Sequence, residues 1–203
     1  MSFSTFFSRI QEAPWYRVFL NPVINEIGTK GRLLDIGTGS GKMIQILSTE
    51  NGIDCVGVDT NSDMLAEAEK KLSNIKAELI KISPNEKLPF DNNSFDYVTI
   101  CSLLFHLKEE EIDRLLDDSL GLLKKNGKII ILTPTGEGNV LKLTKHFFSF
   151  KNRSVYIWYR STKKRAKIWN KTNYLKEYTS KNNLQYQSQT VMNGFAQLEV
   201  IKA

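Results

Sequence analysis

Five short strand-like segments recur along the chain, at 31–36, 53–59, 76–82, 97–101 and 129–134, the last a continuous apolar run as far as Leu132. Between them the apolar positions step by three or four, the period of a helix with one buried face. Met43, Ile44, Ile46 and Leu47 mark such a face in 41–49, and a second helix is predicted over 63–72. Ile112, Leu115, Leu116, Leu120 and Leu123 mark a third over 109–123. Lys124 to Lys128 then reads as a turn, with Gly127 in the helix-stop role. Unbroken runs such as Ile129–Leu132 suit a parallel sheet covered by helices on both faces, since neither side of such a strand meets water. Ahead of the first run, 3–12 and 15–27 read as two helices broken at Pro14, with Pro22 a candidate bend. Past Pro134 the pattern loosens until a helix at 173–182 and two alternating runs, 184–191 and 195–202, joined by Asn193-Gly194 as a hairpin turn.

Composition adds bounds. With 203 residues, 41% hydrophobic and 25% charged, the chain is predicted to be one ordinary domain, 1–203, with N-terminal helices at 1–28 and an insertion or lid at 135–170. No apolar run nears the ~20 residues of a membrane span, and the N-terminus lacks the basic-then-apolar order of a signal peptide. Cys55 and Cys101 sit in apolar runs and read as buried free thiols of a cytoplasmic protein. The net charge of +6 is uneven: Lys142 to Lys181 holds twelve Lys/Arg against Glu177 alone, a local net of +11, interleaved with aromatics. A solvated face, a cap over an acidic small molecule and a nucleic-acid surface are all readings of that block.

The densest chemistry lies at Leu33-Leu34-Asp35-Ile36-Gly37-Thr38-Gly39-Ser40-Gly41-Lys42-Met43, a strand, a glycine turn and a helix start. Such a turn points backbone N–H groups at a ligand, and its glycines admit positive φ and a close approach. A dinucleotide fingerprint would need glycine where Lys42 stands, and a P-loop would need Ser or Thr at Met43. Asp59 falls 22 residues after Gly37, near the ~20-residue spacing of an acid that binds a ribose diol. The alternative for Asp59 is a helix cap, although Asn61 and Ser62 can serve there.

The Asp-x-Gly-x-Gly-x-Gly pattern at 35–41 resembles the first motif of class I S-adenosylmethionine (SAM)-dependent methyltransferases. Leu88-Pro89-Phe90 with Ser94-Phe95-Asp96, and the 124–132 turn and strand, are similar to later segments of that family. The resemblance covers 31–134 well, 171–203 by pattern only, and 135–170 not at all. It implies an α/β fold: a doubly wound, Rossmann-like, seven-stranded and mostly parallel sheet with an antiparallel C-terminal hairpin. It further implies SAM as cofactor, with Asp35 near its methionine part, lined by Gly37, Thr38, Gly39 and Gly41. Asp59 would take the ribose, with Thr60, Met64 and Cys101 beside it, and the N-terminal helices would either cover the cofactor or simply pack on the sheet. Where the family often carries an adenine-binding Asp, this chain has Pro84, so the Asn85 N–H or an acceptor from Ser83, Asn85 or Glu86 must serve. No metal ligands are implied.

His106 is the candidate catalytic residue, a base for a hydroxyl or amine acceptor if its pKa lies near neutrality; packing or capping is the alternative. The function expected is methyl transfer to O or N of a small, anionic or neutral acceptor. The rival expectations are an RNA methyltransferase or RNA-binding partner using 142–181, and a SAM-binding protein without transferase activity.

Overall fold

In a computed structural model, which describes residues 3–84 and 86–202, the chain folds around one seven-stranded sheet ordered β3-β2-β1-β4-β5-β7-β6. The strands are β1 (Arg32–Ile36), β2 (Asp54–Asp59), β3 (Ala77–Lys81), β4 (Phe95–Cys101), β5 (Leu123–Pro134), β6 (Gln185–Val191) and β7 (Ala196–Lys202). The first five pair parallel, and β7 inserts antiparallel between β5 and β6. The helices are α1 (Phe3–Gln11), α2 (Pro14–Glu26), α3 (Lys42–Ile46), α4 (Ser62–Lys71), α5 (Glu109–Leu122), α6 (Val140–Phe147), α7 (Ser154–Thr172) and α8 (Tyr174–Lys181).

Strand alternation sorts the core into two layers. Leu33, Ile130 and Leu132 face one side and pack with Trp15, Phe19, Ile44 and Trp158. Leu34, Ile129 and Ile131 face the other and pack with Leu116, Leu175 and Tyr178. The central strands β1, β2, β4 and β5 are largely buried, whereas β3 at the sheet edge is partly exposed.

Three local expectations change. Pro14 starts α2 instead of merely ending α1, because its missing N–H falls where a helix has no acceptor to satisfy. α5 stops at Leu122 with Leu123 extended at its C-cap; the positive φ beyond it, +66°, falls on Asn126, and Gly127 is needed for closeness, since a Cβ there would sit 3.0 Å from the Lys124 carbonyl and 3.1 Å from that of Asp96. The stretch after Pro134 is largely helical. Leu143, Phe147, Val155, Trp158 and Tyr159 of α6 and α7 join the first core layer, so the expected lid is packed structure. The C-terminal hairpin forms as expected, with Asn193 and Gly194 both at positive φ in its turn.

Candidate active site

A cavity of about 800 Å³ opens at the carboxyl ends of β1, β2 and β4, the ligand position of doubly wound sheets. Asp35, Gly37, Thr38, Gly39 and Asp59 line it, and so do Thr60, Met64, Cys101 and His106. Gly41 does not reach it. Its φ of +75° caps α3, and a Cβ there would lie 3.0 Å from Leu72 and 3.2 Å from Ala68, so it lets α4 approach the turn. Asn85 lies outside the described residues; Ser83, Pro84 and Glu86 line the same cavity, and the Ser83 N–H donates to Glu86 Oε2 at 3.2 Å.

The glycine turn is tied to β2 through Asp59. The Gly39 N–H donates to Asp59 Oδ2 at 2.8 Å, and the Asn61 N–H donates to Oδ1 at 2.9 Å. Asn61 itself caps α4, accepting from Asp63 and Met64 N–H at 2.9 and 3.1 Å. Each Asp59 oxygen keeps a further lone pair, because a carboxylate offers about four acceptor sites.

Asp35 is buried at the end of β1, where Thr99 of β4 donates to its Oδ1 at 2.8 Å. Burial pushes its carboxyl up to about 6; the Thr99 bond opposes this, and the negative charge of Asp59 adds to it. Burial likewise pushes the Cys101 thiol well above its ordinary value, with Asp35 adding to the effect, so Cys101 is a neutral wall residue. The Tyr16 hydroxyl is held neutral in the same way and accepts from Gln11 Nε2 at 3.1 Å.

His106 sits in a short 3₁₀ turn, Leu104–His106, after β4. Arg165 of α7 places Nη1 2.9 Å from His106 Nδ1. Burial first, and the Arg165 charge second, lower the His106 pKa from its ordinary value. Just before it, Ser102 holds φ at +56°, an uncommon conformation for a side-chain-bearing residue, and its N–H donates to the Leu132 carbonyl at 2.8 Å.

Several wall residues carry no sequence motif. Gln11 and Tyr16 come from α1 and α2, Leu103 from the turn after β4, and Trp158, Thr162 and Arg165 from α7. The N-terminal helices thus do both things weighed for them: Ile10 and Gln11 face the cavity while Trp15 and Phe19 fill the core. No group of three or more metal-ligating side chains occurs among the described residues, and no described helix is long and apolar enough to cross a membrane.

A mostly parallel sheet with a glycine turn at its switch point, an acid near the end of β1 and another closing β2 is a Rossmann-like arrangement shared with methyltransferase folds. Residues 34–131, just under half of the chain, match the family model described as a methyltransferase domain, and in this segment the chain is similar to the class I SAM-dependent methyltransferases. It is 32% identical to phosphoethanolamine N-methyltransferase 2 of Caenorhabditis elegans over 149 residues, 72% of this chain and 33% of that protein. It is 33% identical to the ubiquinone/menaquinone biosynthesis C-methyltransferase UbiE of Citrifermentans bemidjiense over 140 residues, 63% of this chain and 57% of that one. The chain therefore spans between a third and little over half the length of these relatives. A SAM-dependent methyltransferase structure from Aquifex aeolicus shares the fold, with a TM-score of 0.67, 18% identity, and coverage of 96% of this chain and 97% of that one.

Proposed function

We propose that the protein binds SAM in this cavity and transfers its methyl group to an N or O atom of a small anionic acceptor. The donor set fits the cofactor: a buried carboxylate, Asp35, for a cationic amino-acid end, open glycine backbone at Gly37 and Gly39, and Asp59 at hydroxyl reach of the rim. Bound SAM would supply an electrophilic methyl on a sulfonium, so the protein's task is orientation and exclusion of water. Asp35 would hold the amino group and, on doing so, lose the proton that burial favours. Asp59 would accept from the ribose hydroxyls while keeping the turn in register. Met64 and Leu88, both buried, offer apolar surface at the end where Pro84 replaces the usual acid.

The observation that carries the acceptor class is the Arg165–His106 contact. Among the described residues Arg165 pairs with no carboxylate, and its guanidinium stands in a cavity walled mostly by apolar side chains. A carboxylate or phosphate on the acceptor would complete it. With Nδ1 occupied, His106 offers a proton donor on its other nitrogen, which suits an amine acceptor better than a hydroxyl that needs a base. The test is S-adenosylhomocysteine formation with paired amines and alcohols, each with and without a carboxylate or phosphate. Turnover confined to anionic amines supports the reading. Turnover indifferent to the anionic group defeats it, as does none with the whole panel while SAM binds.

A further inference from the structure

Helix α7 has two faces. Val155, Trp158, Tyr159, Ala166 and Trp169 are buried. Opposite them Ile157, Arg160, Lys164, Ile168 and Lys171 recur at three- and four-residue steps, and all are exposed. Ile157 and Ile168 are 48% and 60% exposed. The segment before α7 continues the pattern: Leu141, Phe148 and Phe150 are each 81% exposed. Among the described residues, every exposed large apolar side chain except Val18 lies between 140 and 168.

This display is held in place. Leu143 and Phe147 bury the inner face of α6. Beyond them, the Trp15 N–H donates to Asn152 Oδ1 at 3.0 Å and the Trp15 indole donates to Ser154 Oγ at 2.8 Å. The connection is thus pinned to α2, and Arg153 stacks over Phe150 at 4.6 Å on the outside. Among the described residues one cation of α7 meets a carboxylate, Lys167 with Glu137 at 3.4 Å, an exposed contact of little strength, and none of the outer stripe does.

We propose that α6, the 148–153 connection and the outer face of α7 form a surface that seats on an anionic lipid bilayer. Phe148, Phe150 and Leu141 would enter the boundary between headgroups and acyl chains, and the lysines and arginines would meet headgroup phosphates. Charge selects the partner. With twelve cations and one acid between Lys142 and Lys181, two copies of this face repel each other. Side-chain type favours a bilayer over nucleic acid: beside Phe148 and Phe150, the exposed Val140, Leu141, Ile157 and Ile168 are aliphatic and offer bases no stacking plane. Ile157 both lines the cavity and heads the exposed stripe, so a seated protein holds its cavity rim at the headgroups. The inference stands apart from the proposed reaction, because it is read without cofactor or acceptor.

The experiment is co-sedimentation of the full chain with vesicles of phosphatidylcholine, alone or mixed with phosphatidylglycerol, alongside binding of a labelled single-stranded RNA. The expected result is capture by the mixed vesicles only, weakened by added salt. A Phe148→Ser, Phe150→Ser double variant should bind about tenfold less, and Arg160→Glu with Lys164→Glu should also release it. These exposed positions leave the circular dichroism spectrum and SAM affinity unchanged, so a loss of capture is separable from misfolding or a failed cofactor site. Equal capture by neutral vesicles, no capture by either, or capture indifferent to the phenylalanine variant overturns the proposal. So does RNA binding without vesicle binding, or dimerisation that both variants abolish.

Discussion

Arg165 Nη1 lies 2.9 Å from His106 Nδ1, across the cavity from the glycine turn. Arginine has donors only, so this contact fixes the lone pair of the neutral imidazole on Nδ1 and its proton on Nε2. His106 read from sequence as a candidate base, with packing or capping as the alternative; a neutral ring that accepts from Arg165 at Nδ1 carries its proton on Nε2. Replacing Arg165 by Met removes one of the two causes that depress the His106 pKa, burial remaining. The ring pKa should therefore rise in the variant, measured by NMR titration of the imidazole protons. An unchanged pKa would show that the pair does not form in solution.

Asp35 ties cofactor binding to pH. Its carboxyl stands near 6 in the folded chain against an ordinary 3.8. Between those values the folded state holds more protons than the unfolded state, so this residue's contribution to stability falls as pH rises through that window. Asp35→Asn keeps an oxygen for Thr99 and removes the buried charge. It should raise stability by on the order of 1–3 kcal/mol at pH 8 and change it little at pH 4. Denaturant melts at the two pH values test this, and equal effects at both would refute it. The same residue predicts that SAM binding at pH 6 releases protons, seen as a buffer-dependent enthalpy in calorimetry.

Asp59→Ala removes the proposed ribose acceptor and also the tie between the Gly39 and Asn61 N–H groups. Hydrogen bonds to a charged group are worth about 1.5–3 kcal/mol each, so SAM affinity should fall at least about tenfold. Asn61 still caps α4, and the fold should survive. Titration of SAM into the variant checks the first point and circular dichroism the second.

Trp158 stacks 5.1 Å from Trp15 and 5.4 Å from Phe19, ring to ring. Trp158→Ala should cost about 3–5 kcal/mol, the range for deleting a buried aromatic. Removing the whole 138–168 segment would strip Leu143, Phe147 and Val155 from the same layer, so it should unfold the chain. A truncated protein that still bound SAM and melted cooperatively would return the segment to the role of a detachable lid.

The sheet was legible because its central strands are buried on both faces and its turns carry glycines at forced positions. Ile129–Leu132 and Asp35–Gly41 announce themselves from adjacent residues alone. α7 was not, although its buried positions step at helical spacing. Its polar face is so dense in cations that Trp158 and Tyr159 read as part of a basic-aromatic surface, and only packing against Trp15 shows which way they turn. Arg165 was invisible as a site residue for a related reason: it meets His106 across 59 positions of chain, and no local spacing encodes that approach. Ser102 shows the same limit, since its positive φ is set by pairing with Leu132 on the neighbouring strand.

Asp35, the glycine turn, Asp59 and Met64 lie within a span of thirty residues, whereas Trp158, Thr162 and Arg165 arrive from a helix inserted after β5. In the proposed reading, cofactor and acceptor recognition are thus written in separate passages of the chain. A lineage can redraft the second while leaving the first untouched, provided it keeps the buried stripe of α7 that seats the helix on Trp15 and Phe19. Acceptor preference is then free to drift among close relatives at a handful of helix positions, and a graft of α7 alone would carry the new preference with it.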